Sequence, residues 1–477
     1  MGLYLRKKLC SKRSGHIESN DIDTAYRARE MSPAFREWVM RVGVYLGRHA
    51  GGGGGIGVYA RGLARSLPVL LEHQAHSDDE IVLYGDRTVL TEELCAALGN
   101  GTVLCAEADG FFSRGASSYF RRLPNGARAR VLLRILPRFG THHLGMVYDQ
   151  LTLPILFRRD RLDLAHATAN HLLLLSACPQ VVTVHDLFQG WPLVRANTDS
   201  SSGREDARTG LAACYRLFFT MQFRRRISVI TDTNAIAKDI SRRFHFDPGS
   251  IQTIRLGLDE AFFDLLQETA AADDLKVRAE EFLERFQIRP GYLLLLGSLD
   301  PRKNLANSLL AWRELPDSIR AVGLVVRCES KRVEAVVRRA CVEDIAKGRV
   351  QLLGWLDRAE LPLLYLNARA LLVPTLAEGF GLPAAEAQAL LLPVVTGPLE
   401  GDGDRTTCDP NNLQSIKQAI QAVCDNLGPA DKLFAERLVA LQRKLAERNV
   451  RTMVDTARET FAAYRDILLR ARGGAGR

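Results

Sequence analysis

Glu378 and Glu386 carry the most suggestive chemistry in this chain, because of what lies between and around them. They flank the turn Gly379-Phe380-Gly381-Leu382-Pro383. Ahead of it, Ala370-Leu371-Leu372-Val373-Pro374 reads as a buried parallel strand closed by a proline. Behind it, Pro383 at a first helical position opens an Ala- and Leu-rich helix with Glu386 on its first turn. Glycines between strand and helix let backbone N–H groups approach a phosphate, and the helix N-terminus adds roughly half a positive charge. Carboxylates beside an anion site repel the ligand unless they accept hydrogen bonds from hydroxyls, as on a sugar and a ribose. Taken alone, the stretch is equally compatible with a strand-turn-helix bearing two solvated glutamates.

Three further groups could act with them. Arg302 and Lys303, in Asp300-Pro301-Arg302-Lys303-Asn304, follow directly on the apolar run Tyr292–Gly297. Two adjacent cations at a strand's C-terminal end would neutralise a diphosphate without a metal ion. His185-Asp186 ends the run Val181-Val182-Thr183-Val184, where a histidine can donate to a sugar hydroxyl or serve as a satisfied structural residue. A glycine run at 51–57, containing Gly55 and Gly57, follows the strand Arg41–Leu46 and leads into a helix at 60–67. Such a run can cradle phosphate or leave room for an acceptor, or be a flexible insertion. It lacks the closing Gly-Lys-Ser/Thr of a Walker loop.

Two βα series must position these groups. The first has strands near 41–46, 81–84, 102–105, 163–166, 181–186, 227–231 and 251–257. A charged segment at 265–288 contains a helix at the junction. The second series has strands near 292–297, 322–326, 350–353 and 370–374, each followed by helix. The expectation is an α/β protein with two Rossmann-like domains facing across a cleft. Residues 1–40 read as a disordered tail or an upstream extension, with the two domains at 41–288 and 289–446. A crossover helix and tail complete the division at 447–477.

The chain's 477 residues suffice for two cores, and nine cysteines without a C-x-x-C pair argue against a disulfide framework or zinc site. The expected compartment is the reducing cytosol. No segment approaches the ~18 uncharged apolar residues of a membrane span. The net charge of +9 suggests an anionic partner. Residues 113–140 concentrate it in Arg114, Arg121, Arg122, Arg128, Arg130, Arg134 and Arg138, interleaved with apolar residues and without an acid. The pattern suits an anionic membrane surface. A solvated helix face and RNA are the alternatives, and no nucleic-acid recognition motif accompanies it.

In their order, these motifs resemble glycosyltransferase family 4, retaining enzymes of the two-Rossmann GT-B fold. The resemblance spans roughly residues 41 to 468. It rests on Pro301-Arg302-Lys303-Asn304 and on Glu378-Gly379-Phe380-Gly381-Leu382-Pro383 with Glu386. The glycine loop, His185-Asp186-Leu187, Leu353-Gly354-Trp355 and Pro393-Val394-Val395 support it. It implies that Arg302 and Lys303 hold the donor's diphosphate, Glu386 its ribose and Glu378 its sugar. The backbone of Phe380, Gly381 and Leu382 would line phosphate and sugar, His185 would face the transferred sugar, and Gly55 and Gly57 would border phosphate and acceptor. No metal or other cofactor is implied, so Asp402-Gly403-Asp404 reads as loop. The chain departs from the pattern in a shortened 396–408 segment and in lacking the tryptophan common near the start of the terminal helix. The implied function moves a sugar, mannose from GDP-mannose first, to a glycan or lipid-linked acceptor for surface polysaccharide, on the inner face of the membrane. The alternative is a catalytically weak nucleotide-sugar-binding scaffold.

Overall fold

The computed structural model describes residues 39–47, 54–73, 79–86, 103–107, 131–136, 142–170, 173–176, 178–188, 216–224, 227–259, 262, 272–399, 405–425, 430–446 and 450–473. The leading tail up to residue 38, Gly51–Gly53, Asp402-Gly403-Asp404 and most of the arginine-rich stretch lie outside them.

The first sheet joins β1 (Arg41–Tyr45), β2 (Glu80–Asp86), β3 (Val103–Glu107), β4 (Val131–Leu136), β5 (Leu164–Ala167), β6 (Gln180–Val184), β7 (Ser228–Thr231) and β8 (Ile251–Thr253). Their spatial order is β3-β4-β2-β1-β5-β6-β7-β8, and the neighbours pair in parallel. The second joins β9 (Tyr292–Gly297), β10 (Leu324–Cys328), β11 (Val350–Leu353), β12 (Ala368–Val373), β13 (Val394–Thr396) and β14 (Arg405–Thr407). It runs β11-β10-β9-β12-β13-β14, again in parallel. In each sheet the order reverses at the first strand, β1 or β9, so each carries a crevice beyond its strands' C-terminal ends.

Helices cover both faces of each sheet, which is why the strands read as nearly continuous apolar runs. Along β9 the side chains alternate between two cores. Tyr292 and Leu294 enter one cluster, Leu293 and Leu295 the other. Each fully buried leucine there contributes about 1.5–3 kcal/mol. The helix Ala272–Phe286 buries Leu275, Ala279 and Phe282 in the same cluster as Tyr292 and Leu294.

One expectation is corrected. Residues 131–136 of the arginine-rich stretch form β4, an inner strand between β3 and β2, with Val131 and Leu133 in the core. Arg134 is held by Asp160, which also accepts from the Tyr84 hydroxyl at 2.6 Å. A strand buried on both sides cannot lie on a membrane. The alternation of apolar residues there was a sheet period.

The chain passes between the sheets twice, and the two passes are stitched together. Leu258 N–H donates to Arg451 O at 3.0 Å, and Met453 N–H to Leu258 O at 2.9 Å. Gly257 N–H donates to Thr456 Oγ1 at 2.7 Å. The closing helix Met453–Gly473 then packs along the first sheet's helix Gly55–His73, burying Met453, Ala457, Phe461 and Tyr464 in the first sheet's core. This is the crossing back to the first domain that the resemblance implied.

Candidate active site

The C-terminal ends of the two sheets enclose a cleft of about 600 Å³, lined by all ten of the expected site residues. From the first sheet come Gly55, Gly57 and His185. From the second come Arg302, Lys303, Glu378, Phe380, Gly381, Leu382 and Glu386.

The helix after β1 begins at Gly55, earlier than the sequence suggested, so Gly55 and Gly57 form its first turn. A Cβ added to Gly54 or Gly55 would meet no atom within 4 Å. The helix N-terminus therefore faces open cleft, a geometry suited to an anion.

Across from it, Pro301–Lys303 form a single 3-10 turn whose N-cap, Asp300, accepts from Arg302 N–H at 2.9 Å. The Arg302 guanidinium donates Nε to Asp300 Oδ2 at 2.9 Å and Nη1 to Asp186 Oδ2, across the cleft, at 3.3 Å. Its Cζ lies 4.6 Å from the centre of the Phe188 ring. Burial alone would lower its pKa, but Asp300 and Asp186 outweigh that and raise it. Lys303 Nζ donates to Glu378 Oε1 at 2.5 Å. Both cations are thus held in place by carboxylates that an arriving diphosphate would displace or share.

Gly381 caps the helix Leu382–Ala389 at φ +75°, a left-handed conformation that favours glycine. Gly379 passes so close to the other domain that a Cβ there would sit 2.2 Å from the His185 carbonyl oxygen. Phe380 packs against the core of the first sheet, and Leu382 against a core of the second. Glu386 is the fifth residue of its helix, on the second turn, and is only 2% exposed. Arg358 Nη2 donates to its Oε1, and the Tyr365 hydroxyl to its Oε2 at 3.1 Å. Burial raises its pKa against the opposing pull of Arg358.

His185 differs from expectation in how its ring is used. Nδ1 lies 2.5 Å from Asp232 Oδ2 and Nε2 2.9 Å from the Thr168 carbonyl oxygen. Both partners are acceptors, so the protonated ring satisfies both while a neutral one would turn a lone pair toward one of them. A bond to a sugar hydroxyl requires Nε2 to exchange with Thr168. Burial lowers the pKa, but Asp232 outweighs it, so the ring titrates above 6.5. A folded pKa above the unfolded one stabilises the fold below about pH 6.5, and that contribution fades as pH rises through the folded value. The thermal midpoint should therefore fall as pH rises above the ordinary histidine range, and Asp232→Asn should flatten that part of the profile. An identical profile for the variant would assign the dependence to another group.

Sequence reading missed Asp232, Arg358 and Tyr365, and also Asp259, whose carboxylate lies 3.7 Å from Arg358 Nε and 4.0 Å from Arg65 Nη1. These side chains come from separate elements and have no shared spacing.

Residues 279–432 match the model of the family described as "Glycosyl transferases group 1". The chain is 28% identical over 245 residues to the O-antigen chain mannosyltransferase B of Escherichia coli, covering 50% of this chain and 60% of that protein. It is 24% identical over 163 residues to the serotype-specific mannosyltransferase WbdA of Escherichia coli, covering 32% of this chain and 20% of that one. The matched regions thus span less than two thirds of either relative. Among solved structures, a glycosyltransferase from Rickettsia africae superposes with a TM-score of 0.57 at 12% identity, covering 90% of this chain and 99% of the other. The architecture is GT-B, and the part of the chain that supplies the Arg302, Lys303 and paired-glutamate wall matches glycosyl transferases group 1.

Proposed function

We propose that this protein is a retaining glycosyltransferase that moves a sugar from a nucleotide-sugar donor to a hydroxyl of a glycan or lipid-linked acceptor. The observation that carries the reading is the convergence of Arg302, Lys303, Glu378 and Glu386 on one cleft wall, opposite the open helix N-terminus at Gly55. Arg302 and Lys303 stabilise the charge that develops on the departing diphosphate. Glu386, fixed by Arg358 and Tyr365, has lone pairs left to accept from ribose hydroxyls, while Glu378 faces the sugar. Retention follows from the family resemblance. The names of the matched mannosyltransferases support mannose, and the O-antigen chain in one of them a surface-polysaccharide acceptor. GDP-mannose as the donor follows from the family resemblance.

Attachment to the inner membrane face belongs to the same proposal. Among the described residues no helix is long and apolar enough to cross a membrane. The arginines of 113–130 and Arg138 would supply the contact, without Arg134. Release of free nucleotide from a panel of nucleotide sugars, with lipid-linked acceptor in anionic or neutral vesicles, tests the whole. Release should be largest with GDP-mannose, need acceptor, and be favoured by anionic vesicles at low salt. Donor binding without release would indicate a scaffold instead, and equal rates in both vesicles would remove the membrane contact.

A further inference from the structure

Toward the β11 edge of the second sheet, the cleft wall holds three side chains that the transfer itself does not use. Arg327 lies on β10, Glu329 immediately after that strand, and Trp355 in the turn after β11, and all three line the same cavity. Trp355 is 65% exposed, so one of the largest apolar surfaces in the chain faces the cleft uncovered. Arg327 Cζ lies 5.1 Å from the Trp355 ring centre, and Arg327 Nε is buried with no hydrogen-bond partner. Glu329 is held in place by two donors to one oxygen. Ser298 Oγ and Leu299 N–H reach its Oε1 at 2.9 and 3.3 Å, and neither bond uses Oε2.

The order of parts along the cleft shows what these residues would meet. Arg302 and Lys303 follow β9. Glu386 is gripped by Arg358 and Tyr365, which follow β11. A nucleotide with its diphosphate at the first pair and its ribose at Glu386 extends its base toward Trp355, three residues ahead of Arg358. We propose that Arg327, Glu329 and Trp355 form the nucleobase subsite and that it selects guanine, an inference that rests on the nucleotide-donor reading above. Trp355 offers a stacking face, tolerant of any base. Guanine presents two neighbouring donors, N1–H and the N2 amine, which match a carboxylate, and two acceptors, O6 and N7, which match a guanidinium. Uracil offers a single N–H flanked by carbonyl oxygens, and adenine turns its N1 acceptor where guanine has a donor. Both meet the Glu329 carboxylate with repulsion.

Calorimetric titration of the full chain with GDP, UDP and ADP tests the assignment. GDP should bind about tenfold or more tighter than the other two, the worth of a charged hydrogen bond. Glu329→Gln should weaken GDP by about tenfold while UDP binds as well as before or more tightly, its repulsion from the carboxylate being relieved. Trp355→Ala should weaken every nucleotide, by about tenfold. Both side chains reach solvent, so unchanged unfolding midpoints should accompany these losses. UDP or ADP binding as tightly as GDP, equal losses of GDP and UDP in Glu329→Gln, or no effect of Trp355→Ala would overturn the subsite while leaving a nucleotide donor in place. Binding of none of the three would overturn the nucleotide-donor reading itself.

Discussion

Glu386→Ala should cost this protein about 3–5 kcal/mol of folding stability, the penalty for removing one partner of a buried ion pair. The carboxylate is almost wholly buried and accepts from Arg358 and Tyr365. Its loss leaves the Arg358 guanidinium with Asp259, at 3.7 Å, as its remaining carboxylate. The variant should also bind nucleotide more weakly, by roughly 1.5–3 kcal/mol for a charged hydrogen bond to the ribose. Glu378→Ala should behave oppositely. Glu378 is only partly buried, and its bond is to Lys303, a side chain that the diphosphate can satisfy in its place. Stability and nucleotide affinity should change little, while turnover falls on the order of a hundredfold, because an interaction strengthened in the transition state is lost. Thermal unfolding, calorimetric titration and steady-state rates on both variants decide the matter. If Glu378→Ala loses nucleotide affinity while Glu386→Ala keeps it, the two carboxylates have exchanged roles.

Gly257→Ala should destabilise the protein by about 3 kcal/mol or more, the upper range for overpacking, because the clash is with backbone. The new Cβ would lie 1.8 Å from Thr452 O and 2.0 Å from its carbonyl carbon. Neither can rotate away. Relief requires the two interdomain passes to part, with loss of the Leu258–Arg451 and Met453–Leu258 bonds and the Thr456 bond. Gly62→Ala is the matched comparison. Its Cβ would come within 2.8 Å of Met453 Cγ, part of a flexible side chain that can repack, so the loss should be smaller. Equal unfolding midpoints for Gly257→Ala and the native protein would show that the passes are not held together in solution.

The two-sheet plan was legible because parallel strands buried on both faces leave unbroken apolar runs, and Tyr292–Gly297 is both the clearest such run and β9 itself. The paired glutamates and Arg302-Lys303 were legible because short-range spacing places them on one strand-turn-helix and one turn. Legibility failed where neighbours in space are remote in sequence. Asp232 meets His185 from the end of β7, and Asp186, adjacent to that histidine, reaches Arg302 instead. It failed again at β4, where arginine stems beside apolar residues imitate an interfacial helix until Asp160 is seen to hold Arg134. Arg327 and Glu329 lie on and just beyond a strand that was expected, yet nothing in the sequence shows that they share a wall with Trp355.

The stitching of the two interdomain passes has a mechanical consequence. Two separate tethers would let the halves slide, tilt and splay. Fused at Leu258 and Thr452, the two passes form one joint between the halves rather than two. The Arg302–Asp186 bond and the Gly379–His185 approach also span the gap between the halves. An anion that draws Arg302 away from Asp186 therefore removes one of the links that join the halves away from that joint.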